Sequence, residues 1–366
     1  MPMQIEAERL TNFRQQLLEW YSKSHRPLPW KGEKNPYLIW LSEIILQQTR
    51  VEQGLPYFER FRDAYPTVQE LADAAEDEVM KLWEGLGYYS RARNMHATAK
   101  RIAYELEGQF PNTYEEILAL KGVGPYTAAA IASFAYDLPH AVVDGNVYRV
   151  LARFFGIEIP TDSTEGKKCF NDLAQQALDT KQPGRYNQAI MDFGATQCTP
   201  QNPDCKNCLL QADCQAFQKN LIEMLPVKSK KLIKRERYFH YLVIQSADKT
   251  IMRKRIEKDI WQNLYEFPMI ELSEPATELD DLKNAEFWNY LLSESNYKLL
   301  RISRPFKQTL THQVIHALFF EIEILNPHLP EDSQFVVTER KNLSKFAFPK
   351  IIDWYLQDNS LYLNLL

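Results

Sequence analysis

Four cysteines fall within seventeen residues, Cys198, Cys205, Cys208 and Cys214, in the spacing C-x6-C-x2-C-x5-C. Four thiolates on one short loop can enclose a single metal centre. In a reducing compartment such a cluster points to metal rather than to disulfides. Two thiolate-only groups compete for it, a four-cysteine zinc ion and a [4Fe–4S] cluster. Zinc sites tend to use two separated C-x2-C pairs, and one such pair occurs here, which favours iron–sulfur. The fifth cysteine, Cys169, reads as a buried helix residue.

The chain has 366 residues, room for two domains or three, and a net charge of −5. If nucleic acid is the partner, local basic patches must carry the binding. The opening MPMQIEAERL shows no basic region followed by an apolar one, so no signal peptide is expected. No run of about 18 apolar residues is present, so no membrane span is expected. The chain reads as a soluble, cytoplasmic protein.

Residues 1–225 carry helical periodicity: Leu10, Phe13, Leu17, Leu18 and Tyr21 share one face, and the pattern returns near 36–48, 67–73, 76–84, 90–107, 113–120, 125–136, 144–155, 164–179 and 185–196. The basic residues Lys228, Lys230, Lys231, Lys234, Arg235 and Arg237 then mark a linker over 226–237. From Tyr238 the texture changes to β-branched and aromatic runs, Tyr238–Ile244, Ile315–Leu325 and Phe335–Val337, with helical stretches near 278–293 and 348–357. The expectation is an all-α region followed by an α+β domain over 238–366.

Leu120-Lys121-Gly122-Val123-Gly124-Pro125-Tyr126-Thr127 separates two of the helical stretches. Its glycines permit a tight turn, and Pro125 suits the first turn of a helix. Amides at Gly122, Val123 and Gly124 could hold a phosphate without reading sequence; a plain packing corner is the alternative. Asp144 follows Tyr126 by eighteen residues in Val143-Asp144-Gly145-Asn146-Val147. Hairpin, aspartate and cysteine loop, in that order, resemble the helix-hairpin-helix glycosylases of the endonuclease III superfamily.

Further segments resemble the MutY family of adenine DNA glycosylases: Leu28-Pro29-Trp30, Trp40-Leu41-Ser42-Glu43, Leu46-Gln47-Gln48-Thr49 and Gly85-Leu86-Gly87-Tyr88-Tyr89. The C-terminal region, including Ile260-Trp261-Gln262-Asn263-Leu264-Tyr265-Glu266-Phe267-Pro268, is similar to the MutT-like (Nudix-fold) domain of that family. It lacks the G-x5-E-x7-R-E-x2-E-E box, so nucleotide pyrophosphatase activity is not expected. The resemblance implies a [4Fe–4S] cluster on the four cysteines. It also implies a monomer that acts on double-stranded DNA, at the bacterial nucleoid, removing adenine opposite 8-oxoguanine or guanine. Bifunctional members of the superfamily place a lysine nucleophile where Tyr126 stands, and a phenol cannot form the Schiff base that strand cleavage requires. The implied enzyme is therefore monofunctional.

Cleaving adenine from its sugar calls for a proton on the base and an anion near the sugar cation, as two carboxyls supply in glycoside hydrolysis. Glu43 sits among Leu38, Ile39, Trp40, Leu41, Ile44, Ile45 and Leu46, company that raises a carboxyl's pKa and suits an acid. A paired or exposed structural Glu is the bland alternative. Asp144 stands at an expected N-cap, where amides favour the anion, and simple capping is its alternative. The family match assigns Tyr126 and Asn146 to support of Asp144 and the sugar. It places Gln48 and Tyr88 in the duplex, and Arg26, Leu28, Trp30, Gln188 and Met191 around the extruded adenine, with Leu86 and Lys31 as further candidates for substrate or DNA contact. Some relatives carry Arg where Lys31 stands. Others carry F-S-H where this chain has Leu310-Thr311-His312; Thr311 and His312 are the candidates for reading the opposite base.

Overall fold

The computed structural model describes residues 5–23, 26–229, 233–276, 278–292, 296–324 and 335–363. Lys230 and Lys231 of the basic stretch, and the expected element ends Leu325 and Ser293, lie outside them. Two compact units emerge, residues 1–73 with 97–231, and residues 74–96 with 232–366.

The first unit is helical. It contains α1 (Ala7–Lys23), α2 (Pro36–Leu46), α3 (Val51–Ala64) and α4 (Val68–Asp73). After α5 (Glu76–Leu82) and α6 (Ser90–Lys100) come α7 (Tyr114–Leu118), α8 (Pro125–Tyr136), α9 (Gly145–Phe155), α10 (Thr164–Ala177), α11 (Pro183–Thr196) and α12 (Gln215–Gln218). Local chemistry sets the ends. Asn35 caps α2 by accepting from the Tyr37 amide at 3.0 Å, with Pro36 in the first turn. Ser163 caps α10, and Gly156 closes α9 in the left-handed region. α2 and α8 are apolar on nearly every face and form the middle of the unit.

Two departures from the sequence reading stand out in this unit. The stretch expected to be helical over 90–107 ends in a π-helical turn, Arg101–Glu105. Helix α3 was not expected, because Gly54 and Pro56 both disfavour a helix interior. Phe58 and Phe61 bury its apolar face, and Gly54 lets it approach α2 closely: a Cβ there would stand 2.8 Å from Leu46 Cδ2.

The second unit is built on an eight-stranded mixed sheet. Its long centre pairs β1 (Arg235–Ser246) in parallel with β7 (Gln313–Ile324), in register from Arg235/Gln313 to Gln245/Glu323. β2 (Lys249–Lys254) and β4 (Met269–Leu272) run antiparallel to β1; β3 (Tyr265–Glu266) and β8 (Phe335–Glu339) add to β2; β5 (Tyr297–Ile302) and β6 (Phe306–Thr309) add to β7. One face buries Leu242, Ile244, Phe320 and Ile322 with Leu282, Trp288 and Leu292, the last two from α13 (Glu286–Leu292). α14 (Lys350–Leu363) sets Tyr355 flat on Phe319, ring centroids 3.9 Å apart.

Segment 74–96 groups with this sheet although it lies between helices of the first unit. Paired polar groups hold it there. Lys81 Nζ donates to the Phe346 carbonyl at 2.9 Å, the Phe348 amide donates to Glu84 at 2.8 Å, and Tyr265 donates to Asp77 at 2.9 Å. Trp83, Val79 and Met80 are buried. Periodicity shows that such a segment is helical, not which core its apolar face joins.

Candidate active site

Glu43 lies in the third turn of α2, 6% exposed and surrounded by apolar neighbours. Burial pushes its carboxyl up to about 7; a hydrogen bond from Tyr126 opposes the rise, and the nearby Asp144 charge adds to it. Tyr126, in the first turn of α8, has its own pKa raised by burial and by both carboxylates. A 3.2 Å bond from Gln47 Nε2 to Thr127 Oγ1 ties α2 to α8 beside this contact.

Asp144 is the N-cap of α9. Its Oδ1 accepts from the Val147 amide at 2.8 Å and its Oδ2 from Asn146 Nδ2 at 2.8 Å. An N-cap position is expected to favour the anion, and these donors do. Burial outweighs them, and the net direction is upward. Asn146 is held in turn, its Oδ1 accepting from Arg149 Nη2 at 2.8 Å. Gly194 of α11 packs against it so tightly that a Cβ at 194 would stand 2.6 Å from Asn146 Cβ. The structure thus brings Glu43, Tyr126, Asp144 and Asn146 to one locus, where α2, α8 and α9 meet. Two carboxyls in unlike surroundings share it, one apolar and one rich in donors, and such surroundings separate acid from anion.

Around this locus, Met191 Sδ lies 4.0 Å from the Tyr126 hydroxyl, and Gln188 sits one turn earlier on α11. Trp30 is buried edge-on against Phe58. Arg26 and Lys31 converge on Asp192, which the sequence reading missed. Its signal was a lone acid in the largely apolar run Ala189-Ile190-Met191-Asp192-Phe193. Leu28 is half-buried and accepts a backbone bond from Lys31. Gln48 is exposed with φ +55°, a left-handed conformation uncommon for a non-glycine residue. In the hairpin Gly122 takes φ +81°, the Val123 amide bonds to Leu120, and Gly124 caps α8.

In the second unit Leu86, Tyr88, Trp261, Thr311 and His312 line one cavity of ≈360 Å³. Tyr88 (φ +49°) is 45% exposed, and its hydroxyl meets Thr311 Oγ1. His312 is exposed, and its carbonyl accepts from the Arg235 amide at 3.0 Å.

Cys198, Cys205, Cys208 and Cys214 line a single cavity with Val150, Phe154, Phe193, Leu210 and Phe217. Arg149 Nε donates to the Cys198 carbonyl at 2.7 Å and Arg153 Nη1 to its Sγ at 3.4 Å. Burial pushes the Cys208 thiol up to about 12. Among the described residues no group of three or more His, Cys, Asp or Glu is placed to hold one metal ion. Four soft donors around one apolar-walled cavity fit a sulfur-ligated cluster larger than a single ion.

Residues 41–171 match the model for HhH-GPD superfamily base excision DNA repair proteins, and residues 240–358 that for the NUDIX domain. The chain also superposes on a thermostable thymine-DNA glycosylase (TM-score 0.54, 27% identity, 58% of this chain and 98% of that one). It shares the fold of endonuclease III in a non-covalent DNA complex (TM-score 0.51, 19% identity, 60% and 99%). The class is therefore that of the helix-hairpin-helix glycosylases, hydrolases of N-glycosyl bonds, here joined to a Nudix fold. The adenine DNA glycosylase of Buchnera aphidicola subsp. Baizongia pistaciae is 34% identical over 311 residues, 83% of this chain and 84% of the relative. That of Rattus norvegicus is 45% identical over 219 residues, 57% and 42%. The chain belongs to the adenine DNA glycosylase family. Among the described residues, no helix is long and apolar enough to cross a membrane.

Proposed function

We propose that this protein removes adenine paired with 8-oxoguanine, and more slowly adenine paired with guanine, from double-stranded DNA. The observation that carries the reading is the buried Glu43 carboxyl, raised to about 7 and bonded to Tyr126, beside an Asp144 held by neutral donors. Glu43 donates a proton to the flipped adenine, which leaves as the glycosidic bond breaks. Asp144 stabilises the resulting sugar cation, Tyr126 and Asn146 orient the two carboxyls, and water completes the hydrolysis. The reading is of a monomer acting on the nucleoid of a bacterial cytoplasm. Residues 1–225 supply the chemistry, 226–237 the basic linker and 238–366 the recognition of the opposite base.

Arg26, Leu28, Trp30, Lys31, Gln188 and Met191 surround the extruded base. Gln48, Leu86 and Tyr88 fill the duplex it leaves, at a cost of roughly a few kcal/mol for unstacking. Gly122 and Gly124 offer amides to a phosphate, whereas the Val123 amide, also expected to, is already taken by the Leu120 carbonyl. One assay tests the whole: a duplex with a single A:8-oxoguanine pair, labelled on the adenine strand. An abasic product that breaks only after alkali is expected, because Tyr126 supplies no amine. Strand cleavage without alkali, trapped by borohydride, would overturn the monofunctional assignment; intact adenine would overturn the reaction.

Cys198, Cys205, Cys208 and Cys214 are assigned to a [4Fe–4S] cluster. When bound, it would hold the 198–214 loop closed through its four thiolates, beside the Arg149 and Arg153 side chains of α9 that bond to Cys198. The purified protein should be yellow-brown, with absorbance near ~400 nm and with iron and sulfide in the sample. One zinc per chain and no colour would overturn the assignment.

Thr311 and His312 are assigned to the opposite base, which carries an N7–H donor that guanine lacks. Thr311→Val keeps the shape and loses the hydroxyl. It should lower the ratio of A:8-oxoguanine to A:G excision by roughly one to two decades, the scale of one good base contact of about 1–3 kcal/mol. An unchanged ratio would place lesion reading elsewhere.

A further inference from the structure

Helix α11 carries a charge that its packing does not need. Tyr186, Ala189, Ile190 and Phe193 form its buried face, yet Asp192 is buried with them at 3% exposure. Burying a carboxylate costs several kcal/mol unless cations and hydrogen bonds compensate. Here two cations do. Oδ1 accepts from Arg26 Nη1 at 3.1 Å, and Oδ2 accepts from the Lys31 ammonium. That ammonium also stands 5.4 Å over the Tyr21 ring, so its direction is fixed from two sides.

The same helix touches the candidate acid's partner one residue earlier, through Met191 Sδ against the Tyr126 hydroxyl. Gln188 precedes Asp192 by one turn on the same face. One carboxylate facing two cations leaves a net positive charge beside α11, at the residue after Met191. A departing purine gathers electron density on its ring nitrogens as the glycosidic bond breaks. Lys31 and Arg26 each keep donors beyond the one given to Asp192.

From this arrangement we infer that Asp192 is a positioning residue: it fixes Lys31 and Arg26 beside the Tyr126–Met191 wall, so that their remaining donors meet the acceptor nitrogens of the leaving purine. The inference rests on the adenine-excision reading and assigns part of its rate to the two cations. Freed from Asp192, the guanidinium has no fixed direction and the four-carbon ammonium keeps only the Tyr21 ring. A misplacement of about 1 Å at a positioning group can cost about a hundredfold in rate.

The test uses full-length wild type, Asp192→Asn, Lys31→Met, the double variant and Asp192→Glu. Each is measured for single-turnover excision from an A:8-oxoguanine duplex, duplex affinity and thermal melting. Asp192→Asn should slow excision by about a hundredfold and leave affinity within a few fold. Lys31→Met should lose less, and the double variant should be no slower than Asp192→Asn, because residues acting as a unit are not additive. Asp192→Glu keeps the carboxylate displaced by one methylene and should melt as wild type while excising more slowly. Additive losses, or a wild-type rate in folded Asp192→Asn, would overturn the inference. So would tighter duplex binding at an unchanged rate, which would put the cations on backbone phosphates. If Asp192→Asn does not fold, wild-type rates in both Lys31→Met and Asp192→Glu overturn it equally. A wild type that releases no adenine would instead sink the excision reading on which the inference rests.

Discussion

Glu43→Gln should abolish adenine release while making the folded protein more stable above neutral pH. The amide keeps the size of the carboxyl and can accept the Tyr126 hydrogen bond, but it has no proton to give. General acid catalysis is worth about 10²–10⁴-fold, so single-turnover excision should fall by that range while duplex affinity stays. The stability change follows from burial. The folded carboxyl titrates at about 7 against an ordinary value of 4.5, so the folded state binds a proton that the unfolded chain has released. Stability contributed by that proton is full below the unfolded value and is lost as pH rises toward 7. The total is about 3 kcal/mol for a shift of this size. Gln does not titrate. The melting temperature of the variant should therefore match wild type near pH 4.5 and exceed it by roughly 6 to 12 °C at pH 8. Equal melting at both pH values would show that Glu43 is not a buried acid. The wild-type excision rate should halve as pH passes about 7 and fall tenfold per unit beyond it, through loss of the protonated form.

Local chemistry made much of the first unit legible. Gly124-Pro125 announced α8 and Asp144 announced α9, because caps and first-turn prolines act within a few residues. The four catalytic candidates were named from α2, the hairpin and the Asp144 cap, and the structure gathers them at one locus. The less legible parts depend on long-range partners. Helix α3 hid behind Gly54 and Pro56, whose cost is repaid only when Phe58 and Phe61 find their core. The short strands β3, β4 and β6 exist because β1, β2 and β7 offer them edges. Segment 74–96 reads as more of the first unit's helices until its polar links to residues 254–348 are seen. The pairing of Asp192 was hidden for the same reason. Its two partners lie 161 and 166 residues away, and spacing carries no trace of them. Asp144 shows a different limit: the cap was readable, but burial, which reverses the direction of its pKa, was not.

Asp144→Asn should lose about 10²–10³-fold in excision, the scale of removing one electrostatic stabiliser from a transition state. The charge is not the whole loss. Asn146 Nδ2 donates to Asp144 Oδ2, so an amide at 144 that keeps its oxygen on the Val147 amide turns an NH₂ group against another NH₂ group. Asn146 cannot flip to relieve this without losing the bond that its Oδ1 accepts from Arg149 Nη2. The variant should therefore also be less stable, by about 1–3 kcal/mol for the unmatched donors, and melt lower. The exchange Asp144→Asn with Asn146→Asp separates the two effects. In the double variant the amide at 144 donates to a carboxylate at 146, which still accepts from Arg149, so the hydrogen-bond pattern closes again. Melting should return close to wild type. Excision should not return, because the negative charge now sits beside Arg149 rather than at residue 144. Recovery of both would make Asp144 a cap and nothing more, and would move the stabilising charge to another residue. Recovery of stability alone is the outcome that an electrostatic role requires.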